Sequence, residues 1–334
     1  MSATMNRRHF AMGLGGVSLA GLATGCAPRE QAGQRILSVA DVHPNGYPTV
    51  TAMQWMGEEL GRLTDGRLGV RLYPSGQLGS EDDSIGLVRY QAIDMCRVAV
   101  AALNNAFPET RLLALPYVFE DKAHMRRVVD GEVGTDLLNV FESRGLVGLA
   151  YYDAAPRCLY NARRPVSEPG ELRGMKIRAP LSNIFLETIS AMGANATPLS
   201  FGGVFSAMQT HLIDGAENNW ASYHSSRQYE VATYWSQTEH SYSPDALLIS
   251  QETLERLTPS DRDLVRDVAR RSVEVMRVAW DAREIEARDA VLAHGTQITE
   301  VDREAFARSV QPVIERHLAE PRVRALYDRV MAGA

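Results

Sequence analysis

Apolar and polar positions along the chain alternate between two periods. Residues 36–40 (ILSVA) form a short apolar run bounded by polar residues, the pattern of a buried strand. Val50, Met53, Met56 and Leu60 then recur at helical spacing over 49–63, and Gly66 closes that helix. Residues 68–73 read as the next strand. A strand, a helix and a strand within about forty residues form a βαβ unit and imply a parallel sheet. The alternation predicts further strands at 94–100, 146–152, 158–160, 175–178, 213–216 and 246–250. It predicts helices at 80–89, 124–144, 182–192 and 202–210. Thr258-Pro259-Ser260-Asp261 is a helix start, with a capping threonine and proline in the first turn. The next proline or glycine is Gly295, so one helix over 259–294 would run roughly 54 Å. Its apolar positions, among them Leu264, Val268, Val275, Met276, Trp280, Ile285 and Leu292, keep no strict heptad. That favours one helix laid across two lobes over a coiled coil. The fold class expected is therefore α/β, two lobes closing on a ligand.

The N-terminus reads as an address. Arg7 and Arg8 precede an uncharged stretch, residues 11–25, too short to span a bilayer of about 30 Å. Paired arginines before Phe10 resemble a twin-arginine export signal, with a plain secretory signal as the alternative. The end of the stretch, LATGC (22–26), resembles a lipobox with leucine one place early. Lipidation of Cys26 and simple cleavage nearby both stay open. Residues 1–25 are expected to be removed and 26–34 to form a tether. Lobe I is expected over 35–155 with parts of 242–280, and lobe II over 156–241 with parts of 281–334. The chain of 334 residues has a net charge of -6; residues 1–25 carry only the two positive charges of Arg7 and Arg8, so their removal takes it to -8. An acidic chain without a basic run argues against nucleic-acid binding. It also requires that a pocket for an anion be locally positive.

No nucleophile elbow, phosphate loop or zinc-protease motif occurs, and the histidines and cysteines lack metal-ligand spacing. No enzyme activity, metal or cofactor is expected. Arg178 ends a short apolar strand just before Ala179-Pro180, where ligands bind in open α/β sheets. Its forked, permanent charge suits a carboxylate, although a surface ion pair is as good a reading. Asn218 and Asn219 likewise follow an expected strand and suit a hydroxylated ligand or a cap.

These stretches, LRGMKIR (172–178), GANATPL (193–199), a helix ending MQT (208–210) and IDGAENN (213–219), resemble the solute receptors of TRAP (tripartite ATP-independent periplasmic) transporters. YPSGQLGSE (73–81), LPYVF (115–119) and YEV (229–231) extend the likeness over nearly the whole chain. The resemblance implies two lobes joined by hinge strands and a long spanning helix. It further implies a small organic acid held by Arg178, and delivery to a membrane permease driven by an ion gradient. HPNGYPTV (43–50) and YYDAAPR (151–157) are similar to receptors for sugar acids such as glucuronate and galacturonate, in which a second arginine matches Arg157. Pro156 and Cys158 depart from that pattern. A receptor for a C4-dicarboxylate or another organic acid, aromatic or aliphatic, a secreted uronate-processing enzyme and a sensory receptor are the alternatives. His43, Tyr47 and Glu81 are candidates for ligand hydroxyls, Phe201 for packing on a sugar ring, and His240 for the pocket edge. Scaffold, helix-capping, core and surface roles compete with each of these.

Overall fold

The computed structural model describes residues 33–333. The segment expected to be exported, residues 1–25, and Cys26 lie outside the described residues. In chain order the strands are β1 (Arg35–Ala40), β2 (Leu68–Tyr73), β3 (Met95–Ala99), β4 (Leu146–Tyr152), β5 (Arg157–Asn161) and β6 (Lys176–Ala179). They continue with β7 (Asn195–Pro198), β8 (Gly215–Asn218), β9 (Tyr234–Ser241), β10 (Asp245–Ser250) and β11 (Gln297–Thr299). Among the described residues these form two sheets, ordered β2-β1-β3-β10-β4 and β11-β9-β5-β8-β6-β7. β1 runs parallel to β2 and β3, while β10 runs antiparallel to β3 and β4. In the second sheet β6 is parallel to β7 and β8, and β5 is antiparallel to β8 and β9. Each sheet is the centre of one lobe.

The chain passes between the sheets twice, from β4 to β5 through 153–156 and from β9 back to β10 through 242–244. A third connection is the helix Pro259–Ala293, 35 residues and about 52 Å long. It packs on helix Pro48–Leu63 and β4 in the first lobe and on helix Trp220–Ser225 in the second. Its Met276 and Trp280 join the core of Leu37, Val39, Met53, Met56 and Leu247. About two and three turns beyond Trp280, Ala287 and Val291 join a separate core with Tyr160, Trp220 and Trp235. A side chain of this size stabilises the fold by roughly 1.5–3 kcal/mol when fully buried, so the helix is fastened to each lobe by its own apolar patch. The two-lobed α/β fold with a spanning helix is thus the one expected.

The helix expected over 124–144 is not continuous. It divides into Lys122–Asp130, Glu132–Asn139 and a tighter turn, Val140–Arg144. Gly131 is extended (φ -89°, ψ -165°), so it ends one helix and opens the next. Gly134 lies so close to the Val129 carbonyl that an added Cβ would stand 2.0 Å from its oxygen. The apolar spacing survives the break, since Met125, Val128, Val133, Leu137 and Phe141 are all buried, which is why periodicity alone read one helix. The strand expected at 213–216 lies two residues later, at Gly215–Asn218. β7, β9, β11 and the helices Arg303–Leu318 and Pro321–Met331 were not anticipated.

Candidate functional site

A cavity of about 490 Å³, counting the part open to solvent, lies between the lobes. His43, Tyr47, Glu81, Arg157, Arg178, Phe201 and Asn218, all singled out from the sequence, line it. His240 does not. It sits behind the wall, fully buried, with Nδ1 2.9 Å from the Thr238 hydroxyl and Nε2 3.5 Å from Glu217.

Arg178 occupies the third position of β6, between β7 and β8. Its guanidinium is buried, and Nε donates to the Leu199 carbonyl at 2.7 Å. That is its one side-chain hydrogen bond, and it makes no ion pair, among the described residues. Burial pushes its pKa down; Glu217 opposes this, and Arg157 adds to it. A buried guanidinium that no carboxylate neutralises is costly by itself and is relieved when an anion enters.

Arg157 differs. It opens β5, and its guanidinium is already paired with Glu217 of β8, Nε to Oε2 at 2.5 Å and Nη2 to Oε1 at 2.7 Å. Nη2 also donates to the Glu217 carbonyl at 3.2 Å. Burial alone would raise the Glu217 carboxyl, but Arg157, with His240 adding, holds it at about 2. The fork expected to face a ligand therefore spends its best donors on the protein. The guanidinium also lies over the ring of Phe185, 5.3 Å from its centroid.

Arg97, which sequence reasoning missed, stands at the centre of the opposite wall. It is 1% exposed, in the middle of β3. Nε donates to Asp41 Oδ2 at 3.2 Å, Nη1 donates to Glu81 Oε1 at 2.8 Å, and Nη1 lies 3.6 Å from Asp245 Oδ1. Glu81 also accepts the Ala99 backbone N–H at 2.8 Å. Capping of its helix is done by Ser80 in a reciprocal pair with Asp83. Glu81 is thereby released from capping and turned to the cavity. Three carboxylates around one guanidinium are more than it can neutralise. Burial, with Glu81 and Asp41 adding and Arg97 opposing, raises the Asp245 carboxyl to about 7. Burial raises Glu81 too, against Arg97 and the Ala99 N–H.

The pocket is therefore not uniformly positive, as net charge had seemed to require. It is polarised, with unneutralised Arg178 on the second lobe and a carboxylate wall on the first. Signals for that wall were in the sequence: Arg97 interrupts the apolar run Met95, Cys96, Val98, and Asp245 opens another.

Between these poles sit aromatic and amide groups. His43 stacks on Tyr47 with ring centroids 3.7 Å apart and meets Phe201 edge-on at 5.1 Å. Burial, then Arg97 and Arg157, push the His43 pKa well down, so the ring is neutral and can both donate and accept. Asn218 ends β8, and Asn219 caps the next helix, its side chain accepting the Ser222 N–H. Four lining residues hold buried polar atoms without a partner among the described residues: His43 Nδ1, Arg97 Nη2, Ser243 Oγ and Trp280 Nε1. Each such atom typically costs about 1–3 kcal/mol. Their concentration here fits a ligand with many hydroxyls.

The lobes are closed on one another. The Tyr47 hydroxyl lies 2.9 Å from that of Ser222 across the cleft. At the rim the Asn104 amide meets the Ser182 hydroxyl at 3.2 Å, and Asn105 donates to the Leu181 carbonyl at 3.0 Å. Among the described residues there is no cluster of three or more metal-ligating side chains, and Cys96 and Cys158 are buried free thiols.

A closed, two-lobed cleft with one unneutralised arginine defines a receptor for a small organic anion. Residues 39–320 match the family model for bacterial extracellular solute-binding proteins, family 7 (DctP), and the chain belongs to this family of TRAP solute-binding proteins. A solute-binding protein of Chromohalobacter salexigens is 32% identical over 281 residues, 84% of each chain. A TRAP solute-binding protein of a Bradyrhizobium species, solved with galacturonate, is 43% identical with a TM-score of 0.87, covering 89% of this chain and 99% of that one. Another, from Citrobacter koseri with bound glucuronate, is 35% identical with a TM-score of 0.87, covering 90% and 100%. These relatives are receptors, and so is this chain. No described helix is long and apolar enough to cross a membrane.

Proposed function

We propose that this chain is the periplasmic receptor of a TRAP transporter and takes a hexuronate, glucuronate or galacturonate, for delivery to the membrane permease. The observation that carries the reading is Arg178, buried, positively charged and, among the described residues, without a carboxylate partner in a closed cleft. A uronate places its carboxylate there, and water exclusion strengthens the pair. Its ring hydroxyls then donate to Glu81 and Asp245 and bond to His43, Asn218 and the Trp280 N–H. Phe201 supplies an apolar edge. Arg157 acts through its length and its Glu217 pair, fixing the floor of the site, with His240 behind it. Solved relatives that hold glucuronate or galacturonate support the ligand class.

In this reading residues 35–155 and 156–241 are the two lobes, with the remainder shared as the sequence suggested. Segments 153–156 and 242–244, with the long helix, are the hinge. Export removes residues 1–25, and Cys26 is the new N-terminus, with or without acylation. The mature chain should be found in the native envelope beginning at or near Cys26; retention of Met1 there would contradict export.

A thermal-shift panel tests the ligand class. Glucuronate or galacturonate at about 100 times its dissociation constant adds roughly 2.7 kcal/mol of stability. Glucose and galactose should add nothing. Stabilisation by succinate or malate but by no hexuronate would replace this reading with a dicarboxylate receptor. Turnover of the acid would replace it with an enzyme.

A further inference from the structure

The cleft has a second compartment. A further cavity of about 500 Å³, again counting the part open to solvent, adjoins the first and shares Glu81, Arg178 and Phe201 with it as a common wall. Its own lining includes Ser80, Asp82, Ser200 and Gly202. Arg178 thus stands between two adjoining compartments of the cleft. A monosaccharide acid on Arg178 fills one of them.

Resting on the uronate reading above, we propose that the receptor accepts hexuronates carrying a neutral substituent at O-4, with the substituent in the second compartment. The chemistry of the ligand fixes the position. With the carboxylate on Arg178, the part of the sugar nearest the common wall is the carbon bearing the carboxylate and its two ring neighbours. One neighbour is the ring oxygen, which cannot be substituted. The other is C-4, whose hydroxyl can be. Charge fixes the nature of the substituent. The ionisable groups lining the second compartment are Glu81, Asp82 and Arg178, and the uronate itself takes up Arg178. A second carboxylate there would meet two acids and, among the described residues, no free cation, whereas the hydroxyls of a neutral sugar would find Asp82 and Ser200 as partners.

Gly202 offers a clean block. A Cβ built there meets nothing within 4 Å, and its backbone is not in the left-handed region. Gly202→Leu therefore extends into open space without strain. Calorimetry on the whole mature chain would use glucuronate, 4-O-methylglucuronate, rhamnosyl-(1→4)-glucuronate and (1→4)-linked digalacturonate. Both neutral 4-substituted acids should bind within about tenfold of glucuronate, and digalacturonate more than about tenfold more weakly. Gly202→Leu should hold glucuronate within about twofold and weaken the rhamnosyl compound at least about tenfold. Tight glucuronate with no binding of either neutral 4-substituted acid would overturn the inference and leave the uronate reading intact. So would equal weakening of glucuronate and the rhamnosyl compound by Gly202→Leu, while digalacturonate as tight as the neutral disaccharide would overturn the charge argument. Failure of glucuronate and galacturonate themselves would take down both readings together.

Discussion

Arg157 Nε and Glu217 Oε2 lie 2.5 Å apart, both side chains closed to solvent, on neighbouring strands of the second lobe. This pair separates two arginines that look alike in sequence. One is neutralised by the protein and the other is left for the ligand. Breaking a buried pair from one side costs about 3–5 kcal/mol. Arg157→Met and Glu217→Met should each lower the unfolding free energy, read from urea titration without ligand, by that order. The double variant should recover most of the loss, because no lone charge stays buried. Additive losses in the double variant would mean that the two groups are not energetically a pair.

How far the sequence carried depends on what each feature requires. Local patterns were enough for β1, β2 and the long helix, where apolar spacing and the Thr258-Pro259 cap coincide. They failed at Gly131, where the apolar spacing runs through a backbone break. They failed also at β9, Tyr234–Ser241, whose alternation mixes Ser236, Thr238 and His240 into the buried face, so no apolar signal marks it. The pole of the site at Arg178 was legible because the residue lies close to the carboxyl end of a short strand, although β6 runs one residue past it to Ala179. Of the opposite pole only Glu81 was singled out, because Asp41, Arg97 and Asp245 come from separate segments that the β1-β3-β10 pairing brings together. The partner of Arg157 is likewise sixty positions away in sequence.

Closure rests partly on Tyr47 and Ser222, whose hydroxyls meet across the cleft at 2.9 Å. Tyr47→Phe keeps the stack on His43 and removes only this bond. A net contribution of about 0.5–1.5 kcal/mol should appear as a fall in affinity of roughly two- to tenfold. Small-angle scattering of the unliganded variant should show a larger radius than the parent chain. An unchanged radius with unchanged affinity would mean that the bond does not hold the lobes together.

The carboxylate wall gives stability a pH signature. Asp245 titrates near 3.8 when unfolded and about 7 in the fold, chiefly through burial, so the folded state holds the proton more tightly. Its contribution to stability therefore declines as pH rises from about 4 to 7 and is at its most unfavourable above 7. Glu81 is raised as well and acts with the same sign. Asp245→Asn should thus gain in Tm relative to the parent chain as pH rises through that window. Glu217 acts oppositely: its pairing stabilises above about 4.5 and is lost as pH falls towards 2. A Tm difference between Asp245→Asn and the parent that stays flat from pH 4 to 8 would contradict the raised carboxyl.

Arg178 carries the central claim, and titration calorimetry with glucuronate or galacturonate on Arg178→Ala and Arg178→Lys tests it most directly. Loss of one partner from a desolvated charge pair costs about 2–5 kcal/mol, a fall in affinity of roughly thirty-fold to several thousand-fold for the alanine variant. Lysine should restore only part of it, because an ammonium presents no planar fork. Circular dichroism should show both variants folded, since without ligand Arg178 makes no ion pair among the described residues and bonds only the Leu199 carbonyl. Near-parental affinity in a folded Arg178→Ala chain would contradict the account and move the carboxylate to another cation of the cleft.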